Sequence, residues 1–217
     1  MDENEEHSAI SFKRIVFFSD AVFAIVITLL VLEIKVPPHT EMHSSKDLHQ
    51  ALAYLIPKFM GFICSFFIVG LMWFEHHRIF RYIEGFNAGL IWRNLIFLLV
   101  ITFIPFPTAL FSEYPWSTTS FLIYTLTFGL AAIAKFWLWT YAVKASLIRP
   151  GTDPSTAARI SRRSLAVPLG CLACVILAIF LPIYFVFFGF LLIPVFAYLL
   201  DPTKKAKIDT PDEIQVP

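Results

Sequence analysis

The chain has 217 residues, of which 58% are hydrophobic, 17% aromatic and only 15% charged. That composition lies outside the range of soluble globular domains and marks an all-α polytopic membrane protein. A formal net charge of +1 gives no basic field for nucleic acid, so the information lies in where the charges fall.

A bilayer core about 30 Å thick takes roughly 20 apolar residues in helix, and that ruler counts six spans. The opening MDENEEHS is acidic and has neither the basic start nor the cleavage site of a secretory signal. Residues 1–10 are therefore expected to be a disordered tail, and the first apolar run stays in the membrane. Span 1 covers Ser11 to Ile34 and stops at Val36-Pro37-Pro38, followed by a polar link from His39 to Asp47. Span 2 runs from Leu48 to Phe74 with Pro57 in its first part, and EHHRIFRYIEGFN is the polar connection after it, with Gly85 as a breaker. Span 3 covers Ala88 to Phe111, where Pro105 and Pro107 predict a kinked or unwound outer end. The short link SEYPWS makes spans 3 and 4 antiparallel neighbours.

Span 4 covers Thr118 to Ala145, and RPGTDPSTAARISRR is the longest connection. The apolar run from Leu165 to Leu200 is too long for one span and is interrupted by Pro182 and Gly189. It reads as a hairpin of spans 5 and 6 turning near Leu181 to Tyr184. Residues 11–200 thus form one transmembrane domain, and residues 201–217 a C-terminal tail. Cys64, Cys171 and Cys174 all sit in apolar runs and read as packing residues.

Lysine and arginine set the orientation. With six spans, Lys13, Arg14, Arg78, Arg81, Arg93, Lys144, Arg149, Arg159, Arg162, Arg163, Lys204, Lys205 and Lys207 share one side, against Lys35, Lys46 and Lys58 on the other. Both termini are expected in the cytoplasm. Lys135 lies about 27 Å along span 4 from its outer end and is expected to snorkel to the inner interface.

Asp20 is the anomaly of span 1, since an ionised carboxylate at membrane depth needs protein or water partners. At about 100° per residue, Ala21, Ile25, Thr28 and Leu32 share a narrow stripe with Phe18 and Leu29 on its edge, while Asp20 points elsewhere. Its candidate partners are Trp73, His76 and His77 at the end of span 2 and Arg93 and Asn94 at the start of span 3. A buried knot of Asp20, His77 and Asn94 is the expected arrangement. Adjacent His76 and His77 diverge by about 100° and no HExxH pattern occurs, which argues against a metal centre or an intramembrane enzyme.

Arg14-x-x-x-Phe18-Ser19-Asp20, then Ala21 and AIVITLLVLEIKVP, resembles the signature of the endosomal and lysosomal potassium channels called the transmembrane protein 175 family, especially the bacterial members. Trp73 with His76-His77 after span 2 and Arg93-Asn94 opening span 3 extend the likeness over the chain. The resemblance implies a potassium-preferring channel in the bacterial inner membrane. It would be a homotetramer around a central pore lined by the first helices, without a TVGYG filter and without a cofactor beyond permeant potassium. It places the constriction at Ile25, Leu29 and Leu32, with Thr28 as a hydroxyl ring beside them. Arg14, Phe18, Ser19, Asp20, Trp73, His77, Arg93 and Asn94 are then the network that holds the pore helix. An apolar ring gates by dewetting, and Glu33 would draw cations to the outer mouth. The alternatives are a proton-permeable channel and a proton-coupled carrier using Asp20.

Overall fold

The computed structural model describes residues 3–36, 45–182 and 192–200. Apolar helical stretches dominate. In chain order they are α1 (Glu3–Leu29) with a 3-10 turn at Leu30–Glu33, α2 (Ser45–Tyr54), α3 (Ile56–Phe80), α4 (Ala88–Phe103) and α5 (Pro105–Glu113). After these come α6 (Thr118–Lys144), α7 (Pro154–Ser164), α8 (Ala166–Phe180) and α9 (Leu192–Leu199). Among the described residues, five stretches are long and apolar enough to cross a membrane, Ile10–Glu33, Ile56–Phe80, Ala88–Glu113, Thr118–Lys144 and Pro154–Phe180. The turn expected near Leu181 to Tyr184 and the tail 201–217 lie largely or wholly outside the described residues. Leu192–Leu199 packs back on α8, where Ile193 closes over Gly170.

Several boundaries differ from those the sequence suggests. The acidic opening is not a separate coil: α1 begins at Glu3 and runs without a break into the apolar stretch. Span 2 is broken at Leu55, because Pro57 has no N–H to give and fits only the first turn of a new helix. The same physics divides span 3 at Ile104, with Pro105 opening α5, and here the interruption is the one expected from the prolines. At the other end of α3 the helix passes Phe74 and continues to Phe80, carrying Glu75, His76, His77 and Arg78 as helical residues. The long connection after α6 is itself largely helical, since Asp153 accepts from Ser155 N at 2.9 Å and starts α7.

The main core lies between α1, α3, α4 and α6, where Phe23, Val26 and Leu30 meet Val69, Met72, Phe97, Ile101, Tyr124 and Phe128. Inside it, Ser65 Oγ shares hydrogen bonds with Thr108 Oγ1 (2.9 Å) and Tyr124 Oη (3.0 Å) and ties α3, α5 and α6 together. A second cluster, Ile79, Phe80, Ile83, Leu90, Leu138, Trp139 and Ile160, fills the end that bears the arginine-rich connections, called the basic end below. There the 2–3 and 4–5 connections pair through their backbones. Glu84 N and Gly85 N donate to Leu147 O at 3.0 and 3.2 Å, and Arg149 N donates to Tyr82 O at 2.8 Å. Ile83 and Ile148 form an antiparallel bridge between them.

Lys135 corrects another expectation. Its side chain does not reach an interface but stays 4% exposed, with Nζ 3.9 Å from Glu75 Oε2 on the facing helix. Glu75 also pairs with Arg78 at 2.6 Å, so an ionic group spans α3 and α6 where an unpaired ammonium would be costly.

Candidate functional site

One face of α1 is sunk in the chain and the other is not. Ser19, Phe23, Val26 and Leu30 recur at helical spacing and are all buried. Ala21, Ala24 and Thr28 are exposed on the opposite side. On that side Ile25, Leu29 and Leu32 are 58%, 41% and 66% exposed. Phe18 and Val31 also stand exposed. Thr28 Oγ1 donates to Ile25 O of its own helix at 2.8 Å.

Polar contacts fix this rotation. Asn94 Nδ2 donates to Ser19 Oγ at 2.9 Å, Asn94 Oδ1 pairs with His76 Nε2 at 2.9 Å, and Ser19 Oγ donates to Ile15 O at 3.0 Å. All three side chains are buried, and one hydrogen-bonded chain therefore links α1, α4 and α3. The His76 ring lies 4.3 Å from Phe80, 5.4 Å from Phe97 and 5.7 Å from Phe23 between centroids. Beside this chain, Trp73 Nε1 donates to Asp20 Oδ1 at 2.8 Å.

The knot drawn from the sequence thus has its members rearranged. Ser19, not Asp20, meets Asn94, and His76, not His77, completes it. The reason is register: α3 continues through these histidines, so one of the two must face in, and His77 turns outward next to the Trp73 ring, 5.8 Å away. Asp20 is half-buried at the rim of the knot. Arg93 does not enter it; its guanidinium lies over the rings of Tyr141 (3.7 Å) and Trp137 (4.5 Å) and donates to Gly89 O at 2.8 Å. Arg14 is exposed. Glu33, Lys35, Lys58 and Glu113 line a cleft of about 120 Å³ at the far end, with Lys58 and Glu113 paired at 2.7 Å.

Sequence reasoning missed the Ser65–Thr108–Tyr124 cluster, because isolated hydroxyls in apolar spans give no periodic signal. It left Glu75 inside a polar connection, although an acid at i−3 from Arg78 was a readable pairing signal.

The profile of the endosomal/lysosomal potassium channel TMEM175 matches residues 14–105. A potassium channel of Streptomyces collinus is 34% identical over 165 residues, which is 72% of this chain and 79% of the relative. The chain belongs to the TMEM175 family. This is a family of ion channels, not of enzymes. A potassium channel of Chamaesiphon minutus is 42% identical over 135 residues, 61% of this chain and 66% of the relative, so the match spans just under two thirds of that protein. The crystal structure of a lysosomal potassium-selective channel TMEM175 homolog from the same organism superposes with a TM-score of 0.74 at 33% identity, over 88% of this chain and 98% of that one. The human relative, an endosomal/lysosomal proton channel TMEM175, is 31% identical over 155 residues, 31% of its own length. Ser19, Asp20, Trp73, His76 and Asn94 all fall inside the TMEM175 profile, as does the exposed face of α1.

Proposed function

We propose that the chain is one subunit of a potassium-conducting channel in which α1 from four copies lines a central pore, six spans per chain surround it, and both termini face the cytoplasm of a bacterial cell. One observation carries this reading: the Ser19–Asn94–His76 chain sets the rotation of α1 so that Ile25, Leu29 and Leu32 face away from the core of their own chain. An apolar face alone would suit lipid. The small Ala21 and Ala24 and the hydroxyl of Thr28 on that face favour close approach of like helices around water.

Ile25, Leu29 and Leu32 then form rings narrow and apolar enough to empty of water when closed. They favour the cation that sheds its hydration most readily. Thr28 supplies a hydroxyl ring between them, and Glu33 sits at the outer mouth. Ser19, Asp20, Trp73, His76 and Asn94 act on the pore by holding α1, not by touching the ion. The human relative, a proton channel, favours one second reading, proton permeation through the same path.

Ion flux from liposomes holding the purified chain tests both readings. Potassium release that outpaces sodium, with a slower internal pH change, is the expected result; a pH change without potassium flux supports the proton reading. No flux of either ion from a folded, inserted chain refutes the channel. Cross-linked species stopping at four chains support the tetramer, and a ladder ending at two overturns it.

A further inference from the structure

At the basic end, α7 packs on α6 and α8, and one of its faces looks across a cleft at the end of α3. Thr156, Arg159, Ile160 and Arg163 recur at i, i+3, i+4 and i+7, the spacing of a single helical face, and stand opposite Arg78 and Tyr82. Between them is a cleft of about 170 Å³ whose lining carries three guanidinium groups and no acid. The charges are only partly answered. Arg78 pairs with Glu75 through Nη2, while its Nε is buried with no hydrogen-bond partner among the described residues. Arg159 reaches Thr156 Oγ1 only at 3.4 Å, a distance at which a hydrogen bond is weak. The nearby acid, Asp153, caps α7 and accepts from Ser155, whose hydrogen bonds hold its carboxyl below the usual carboxylate range. Three guanidiniums around one small polar cleft repel one another unless an anion sits among them, and their forked donors match a tetrahedral oxyanion.

We propose that this cleft between α3 and α7 binds one phosphate-bearing anion, gripped by Arg78, Arg159 and Arg163 with the Thr156 hydroxyl as a further donor. The position favours a phospholipid headgroup as the source. Helix α7 places its arginines in the first turns of the stretch Pro154–Phe180 and leads directly into the apolar α8, and basic pockets at the cytoplasmic end of such stretches collect anionic headgroups. Free phosphate offers the same chemistry from the water side. The site is separate from the exposed face of α1, so its test reads binding rather than current.

The full chain is purified and its thermal unfolding is followed in two arms. One compares nanodiscs of phosphatidylcholine with and without phosphatidylglycerol. The other compares inorganic phosphate with chloride at equal ionic strength in neutral detergent. Stabilisation by phosphatidylglycerol alone identifies the lipid, and stabilisation by phosphate alone identifies the free ion. In either case Arg159→Gln and Arg163→Gln should each weaken the apparent affinity about fivefold, whereas Arg81→Gln, an exposed arginine outside the cleft, should not. Arg163 is itself exposed, so its replacement tests the site without disturbing a core position. No stabilisation in either arm, or an equal loss in Arg81→Gln, overturns the proposal.

Discussion

Trp73 donates its indole N–H to Asp20 across 2.8 Å, so the acid of the first helix is held by a neutral donor from α3. A hydrogen bond to a charged group contributes about 1.5–3 kcal/mol. Trp73→Phe keeps the ring and removes the donor, and it should lower stability in detergent by the lower part of that range, because the pair sits at a half-open rim. Asp20→Asn, which keeps an acceptor, should cost less. Denaturant or thermal unfolding checks both; a Trp73→Phe chain as stable as the parent would show that water replaces the indole without loss.

The two adjacent histidines should behave unlike one another. His76→Ala opens a void between Phe23, Phe80 and Phe97 and strands Asn94, at a cost of about 3 kcal/mol. His77→Ala, at an exposed position, should stay within about 0.5 kcal/mol. Asn94→Leu leaves both Ser19 and His76 without their partner and should cost at least as much as His76→Ala. Equal effects at the two histidines would contradict the register in which only one faces inward.

Neighbouring residues of α1 separate permeation from folding. Ile25→Asn places an amide on the exposed face and should raise ion flux with little loss of folded yield. Val26→Asn puts the same group into the core and should cut folded yield instead, an unpaired buried amide costing several kcal/mol. Flux unaltered when Ile25, Leu29 and Leu32 are all replaced by Asn would remove the constriction from this helix.

Two glycines of α3 make a matched pair. A Cβ at Gly61 would lie 2.0 Å from Ser112 Oγ, so Gly61→Ala must push α5 away or turn the serine, a strain of about 1–3 kcal/mol. At Gly70 nothing lies within 4 Å, and Gly70→Ala should stabilise the helix by about 0.5–1 kcal/mol. Unfolding midpoints moving in opposite directions would bear this out; two shifts of the same sign would not.

How much of this was legible follows from the range of each signal. Apolar length found the five spans seen among the described residues, and Pro105 told where span 3 would be interrupted, because both signals act within a few residues. The two faces of α1 were also readable, since angle along a helix is fixed by spacing alone. The end of α3 was not: Glu75, His76, His77 and Arg78 look like a polar loop, and burial of His76 depends on Phe23 of α1 and on Phe97 and Asn94 of α4 as well as on its own helix's Phe80. Lys135 failed for the same reason, since its carboxylate stands sixty residues earlier in the chain. Asp20 drew the eye as a charge, yet the hydroxyl of Ser19 one residue before it makes the central contact.

The bridge between the 2–3 and 4–5 connections is built from main-chain atoms of Tyr82, Glu84, Gly85, Leu147 and Arg149. Side-chain replacement at most of these positions leaves every donor and acceptor in place, so sequence drift here is cheap. A one-residue insertion or deletion is different: it moves the amides out of phase and frees two neighbouring helical hairpins from each other. These connections should therefore tolerate changes of letter far better than changes of length.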